Sequence, residues 1–284
     1  MAAQLPFESA KFDLLRATPS EFTFSARLGS SQRETVNLPK ITISFSPALI
    51  QDRDMGTLAL ESATLHLVER NGILQLPGLL ESSSSAPTPL PALPLGLSHI
   101  LLHNFRLILE LESGRSLQFN FDGNADLNFS ELADKKKQLS YASLHLSSTG
   151  AVNAQMDLSV KSETEGYSIT GTIHVQTLEQ LASFIEQKTL PELSGKLELE
   201  LAVQLDQYLQ LNDYHINALF PGLQITSGET IIIDSRKSGV ANISLTGDQK
   251  QARFTIAKLG TVLPKPGELT ADGKIDLEKM QAKL

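Results

Sequence analysis

"LPELSGKLELELAVQLDQYLQL", residues 190–211, decides the fold. Leu197, Leu199, Leu201, Val203 and Leu205 take every second position, with Lys196, Glu198, Glu200, Ala202 and Gln204 between them. Successive side chains of a β-strand point to opposite faces, so one face here is branched aliphatic and the other polar. A strand in a globular β-domain usually turns back after about five or six residues. This run is longer, and it offers an unusually extended apolar face.

The same period-two pattern predicts strands along most of the chain: 21–27, 40–46, 57–68, 104–112, 116–129, 141–147, 151–160, 167–175, 193–205, 208–217, 229–234, 239–246, 250–257 and 267–277. One wet and one apolar face per strand is the antiparallel pattern. Turn signals such as "DGN", "STG", "SETEG" and "TGDQK" separate the runs. One stretch reads differently. "TLEQLASFIEQ" places Leu178, Leu181, Phe184 and Ile185 on one helical face, and Thr177 with Gln180 matches a capping box, so a short helix is expected near 177–186. "LEKMQAKL" at the end is a second helix candidate. "ESSSSAPTPLPALPLG" joins a serine run to alternating proline, which cannot donate to a sheet ladder. Three parts are therefore expected: 1–80 as a first β segment, 81–98 as a Pro/Ser-rich crossing loop within one sheet, and 99–284 as the main β segment.

With 284 residues, 41% hydrophobic and 20% charged, the composition is globular. The net charge of -8 argues against nucleic acid as a partner, since phosphate binding needs clustered cations. Lys135, Lys136 and Lys137 form one basic run, read as a solvated loop. There is no cysteine, which excludes disulfides and thiolate chemistry. No run of ~18 apolar residues is long enough to span a bilayer. The start, "MAAQLPFESAKFDLL", lacks the basic-then-apolar pattern of a signal peptide. Either the protein is cytosolic or its export signal and anchor lie outside this sequence.

The sequence carries little recognisable chemistry. His99 and His103 are four apart, but on a strand that spacing is about 13 Å, too far for one metal. Glu198 and Glu200 are the wet face of a strand. No nucleophile elbow, phosphate loop or dinucleotide fingerprint is present. The expectation is no enzyme, no metal and no cofactor.

The apolar face remains to be explained. A β-sandwich would fill it from a second sheet. An open, curved sheet would leave it for an apolar ligand, each buried methylene contributing roughly 0.8 kcal/mol. Composition leaves both open.

The stretch "LESATLHLVERNGILQLPGLLESSSSAPTPLPALPLGLSHILLHNFRLILEL" at 60–111 joins an amphipathic strand, a Pro/Ser excursion and an "I-x-x-x-x-F-x-L-x-L" strand. With "LSGKLELEL" and "LTADGKIDLE" further on, it resembles the AsmA-like group of bacterial envelope proteins, which includes the YdbH and TamB families, the YdbH type most of all. The resemblance implies long antiparallel amphipathic strands forming a curved, groove-like, taco-shaped sheet with one or two short helices. It implies phospholipid transport along the groove of a periplasmic protein anchored in the inner membrane, the anchor and any membrane contact lying outside this chain. The groove-lining candidates are Phe119 and Phe121; Ile169, Ile173 and Val175; Leu197, Leu199, Leu201 and Val203; Ile243 and Leu245; and Phe254 and Ile256. Acyl chains are the expected partner, with envelope proteins at open sheet edges as the alternative, a structural or protein-binding β-module. Such a groove some twelve to fourteen strands long would measure about 60 Å, a segment of a conduit.

Overall fold

The computed structural model describes residues 7–30, 33–45, 53–70, 73–78, 92–93, 95–134, 136–180, 192–227, 230–235, 240–248, 251–261 and 267–276. These residues are nearly all β-strand, in open sheet that does not close into a barrel. The chain divides into two compact units, 1–151 and 152–284.

In the first unit, β1 (Ser9–Thr18), β2 (Glu21–Gly29) and β3 (Glu34–Ser44) form an antiparallel meander. Next come β4 (Thr57–Glu61), β5 (Thr64–Arg70) and the short β6 (Ile73–Gln75), then β7 (His99–Glu110), β8 (Ser116–Glu131) and β9 (Lys137–Gly150). β4 and β5 pair antiparallel with β3 on one side and parallel with β7 on the other. The sheet of this unit is therefore mixed, with the described pairings antiparallel except where β4 and β5 meet β7, as the mostly antiparallel expectation allows. The reason is the connection. A parallel neighbour needs a long crossover, and the Pro/Ser stretch lies within the connection from β5 to β7.

Residues 57–68, expected as one strand, are two. Ser62 takes φ 56° and Ala63 is buried between them. The apolar positions change parity here, from Leu58 and Leu60 to Leu65 and Leu67. The extra residue restores them to one face, as a β-bulge does. β7 has the matching irregularity at His103 and Asn104, where Asn104 takes φ 52°, and its parity changes from Leu102 to Phe105. Ser62 N–H donates to His103 O at 2.8 Å across this line.

The second unit is an antiparallel meander of β10 (Ala154–Glu163), β11 (Gly166–Val175), β13 (Leu197–Asp206), β14 (Leu211–Phe220), β17 (Ala241–Gly247), β18 (Gln251–Thr261) and β19 (Gly267–Asp276). Three short strands, β12 (Glu192–Ser194), β15 (Gln224–Ser227) and β16 (Thr230–Asp234), make a small antiparallel extension.

Among the described residues there is no α-helix. The helix expected near 177–186 is described only at 178–180, as a single tight turn, and its remainder lies outside the described residues, as does the C-terminal helix candidate. The closed sandwich is also corrected, by the burial pattern. A sandwich core buries large aliphatic side chains between its sheets. Among the described residues half of the buried hydrophobic ones are alanines, and the largest fully buried side chains are Thr35 and Ser235.

Candidate functional site

Residues directly opposite in an antiparallel pair share a face, with Cβ atoms about 4.5–5.5 Å apart. The register of the second unit therefore builds rows across its sheet. One row is Met156, Ile173, Leu199, Ala218, Ile243, Ile256 and Ala271. The next is Leu158, Gly171, Leu201, Ile216, Leu245, Phe254 and Gly273. A third runs Val160, Ile169, Val203, Tyr214, Gly247 and Ala252. Val175 opposes Leu197 beyond the first row. No charged side chain interrupts these rows. Seven strands at about 4.8 Å spacing make the face about 29 Å wide.

The opposite face is mainly polar. It carries Asp157, Thr172, Glu200, Asn217, Ser244, Thr255 and Asp272 in one row. Its groups bond to one another: Asn217 Nδ2 donates to Glu200 Oε2 at 3.2 Å, and Gln204 Nε2 donates to Ser168 Oγ at 3.1 Å.

Eleven of the thirteen groove-lining candidates thus lie on one face of the second unit. Ile169, Ile173, Leu197, Leu199, Leu201, Val203, Ile243, Leu245, Phe254 and Ile256 are half-buried, and only Val175 is buried. Phe119 and Phe121 belong to the first unit. Their rings stack with centroids 6.1 Å apart, and Phe105 joins them at 6.4 Å from Phe121. The first unit has its own apolar rows, such as Leu14, Phe24, Ile41, Leu60, Leu102, Gly123 and Leu146. No family model, curated protein or solved structure matches the chain.

The two ends of the second unit's face differ. At one end Leu178, Leu223 and Ala241 are buried together, with Leu193, Leu197, Phe220, Ile225 and Ile233 packed against them. Leu178 N–H donates to Gly195 O at 2.9 Å, which ties the turn at 178–180 to the start of the β12–β13 connection. At the other end are hairpin turns with Tyr208 and Leu209 exposed. A hollow there is lined by Asp213, Asp248, Arg253 and Lys274. Apolar packing closes the face at one end, and hairpin turns bound it at the other, where the charged hollow belongs to the opposite face.

Sequence reasoning missed Met156, Leu158, Val160, Tyr214, Ile216 and Ala218 as members of this face. Met156, Leu158 and Val160 carry the same alternation as Leu199 and Leu201, so the signal was present. In β14 the alternation is blurred by Tyr214 and Ala218, and only the pairing with β13 resolves it.

Other chemistry stays dispersed. Among the described residues no group of three or more His, Asp or Glu could hold a metal. His99 Nδ1 lies 2.7 Å from Asp126 Oδ1, an exposed cross-strand pair. Arg33 makes a two-pronged contact with Glu110, with His66 Nδ1 3.5 Å from the same guanidinium. The hydrogen bond from Arg33 holds the Glu110 carboxyl below its ordinary range, while burial and the Arg33 charge push the His66 imidazole down.

Proposed function

We propose that the chain binds and passes on phospholipid acyl chains along its apolar sheet face, without catalysis. We place it as a segment of a periplasmic lipid-transfer protein of the AsmA-like, YdbH type, anchored in the inner membrane. One observation carries the reading: three uninterrupted apolar rows, six or seven strands wide, whose large side chains are only half-buried. Soluble proteins rarely leave contiguous apolar surface beyond a few hundred Å² unless something covers it. A ligand of pure hydrocarbon needs no directed hydrogen bonds, which agrees with the dispersed chemistry. Each methylene laid on the face would contribute roughly 0.8 kcal/mol.

The test is mass spectrometry of lipids extracted from protein purified without detergent. Stoichiometric phospholipid in the parent chain, lost in Leu199→Asp/Leu201→Asp that keeps its strand spectrum, supports the reading. A folded chain that carries no lipid would mean that other protein surface covers the face. The structural or protein-binding module is then the better reading, and the exposed edge strand β1 favours it.

A further inference from the structure

The first unit ends in a strand that is unusually bare. β1 pairs only with β2 among the described residues, and nine of its ten residues are exposed. Phe12, Leu14 and Leu15 are 53%, 69% and 55% exposed. Phe12 opposes Ala26 and Leu14 opposes Phe24, so the apolar face of the unit runs to the outermost strand. Natural sheets blunt such an edge with inward-pointing charge, proline or a cover. Here the charges Lys11 and Asp13 point to the other face, and neither has an ion-pair partner among the described residues.

We propose that β1 pairs antiparallel with β1 of a second copy, around a twofold axis through Phe12. The sequence of the strand selects this register. Faces match only when the two opposed residue numbers sum to an even value, because a slip of one residue turns every side chain to the wrong face. A sum of 22 sets Lys11 against Lys11, and 26 sets Asp13 against Asp13. A sum of 28 sets Phe12 against Arg16. A sum of 24 sets Phe12 against Phe12, Ala10 against Leu14, and Lys11 against Asp13 twice over. Like charges directly opposite destabilise a sheet, and aromatic and opposite-charge pairs stabilise it. A twofold axis normal to the sheet keeps both apolar faces on the same side. The second copy therefore continues the rows of Phe12 and Leu14 instead of ending them. An isologous pair of this kind closes on itself. The dimer does not depend on what the apolar face binds.

The chain has no cysteine, so a single introduced thiol reports the register. Residues opposed across an antiparallel pair have Cα atoms about 4.5–5.5 Å apart, within disulfide range. Phe12→Cys is expected to oxidise to a covalent dimer, and Leu14→Cys, which would face Ala10, is not. Sedimentation velocity over a concentration series gives the second readout. Lys11→Asp and Asp13→Lys, both on exposed positions, should each weaken dimerisation by about tenfold, and the double exchange should restore it to within about threefold. A parent chain that sediments as a monomer throughout overturns the proposal. So does an open-ended series of larger species, which would mean head-to-tail pairing through another edge. Failure of the double exchange to rescue, or equal cross-linking at Leu14→Cys, overturns the register.

Discussion

Leu158 lies across the bare Cα of Gly171, its partner on the neighbouring strand. A Cβ on Gly171 would stand 2.5 Å from Leu158 Cδ2 and closer still to the Asp157 carbonyl oxygen. The same arrangement recurs where Leu146 covers Gly123, at 2.8 Å, and where the Phe254 ring covers Gly273, at 2.5 Å. In each pair a large side chain fills the gap its glycine partner leaves, so the apolar face stays continuous without crowding.

Gly171→Ala is therefore expected to destabilise the second unit by about 1–3 kcal/mol, the cost of overpacking. Adding Leu158→Ala should not restore stability, because the Asp157 carbonyl is backbone and cannot swing aside. Urea midpoints of the single and double variants check this. Full rescue by the double variant would mean that the side chain alone sets the limit.

Exposure separates lining from core on one face. Leu199 and Leu201 are half-buried, whereas Val175 is 6% exposed and Ala241 1%. Aspartate at Leu199 or Leu201 keeps contact with water and should cost about 1–2 kcal/mol, while Val175→Asp should cost about 3 kcal/mol or more. Glu200→Gln, on the polar face, should leave both stability and bound lipid unchanged. Chemical denaturation together with lipid extraction on the same preparations measures both quantities.

Acidification should weaken the first unit in two steps. His66 titrates below its ordinary value of 6.5 in the folded chain, chiefly because burial disfavours its charged form. Glu110 titrates below 4.5, chiefly through its hydrogen bond from Arg33. Both groups bind fewer protons folded than unfolded, so stability rises with pH. The His66 contribution is lost as pH falls below 6.5, and that of Glu110 as it falls below 4.5. Urea midpoints across this range should lose the upper step in His66→Gln. The Arg33 and Glu110 side chains are 38% and 37% exposed, so Arg33→Met should cost only about 1 kcal/mol or less at neutral pH.

Asn242 offers a stabilising change. Its Oδ1 is buried without a hydrogen-bond partner, and its cross-strand neighbours are Leu219 and Ala257. Asn242→Val removes the orphaned acceptor and suits the strand, and should raise stability by about 1 kcal/mol. An unchanged or lower thermal midpoint would show that the amide is satisfied in solution.

The alternation at Leu197, Leu199, Leu201 and Val203 determined the strands and the two faces from sequence alone. The side-chain period of a strand is a local property, fixed by backbone geometry whatever lies beside it. It could not choose neighbours, because every strand with one apolar face is compatible with every other. Only the tertiary structure set Leu58 parallel to Ile100, aligned Leu199 with Ile173 and Ile243, and left β1 at an edge. β1 itself was not legible. Leu14 and Leu15 are adjacent, and the alternation breaks there. The register shift between Leu14 and Arg16 absorbs the extra residue and returns Ala17 to the apolar face opposite Phe22. The same accommodation at Ser62 and at Asn104 makes one face from two parities of sequence. A bulge becomes visible only when the partner strand supplies the register it departs from.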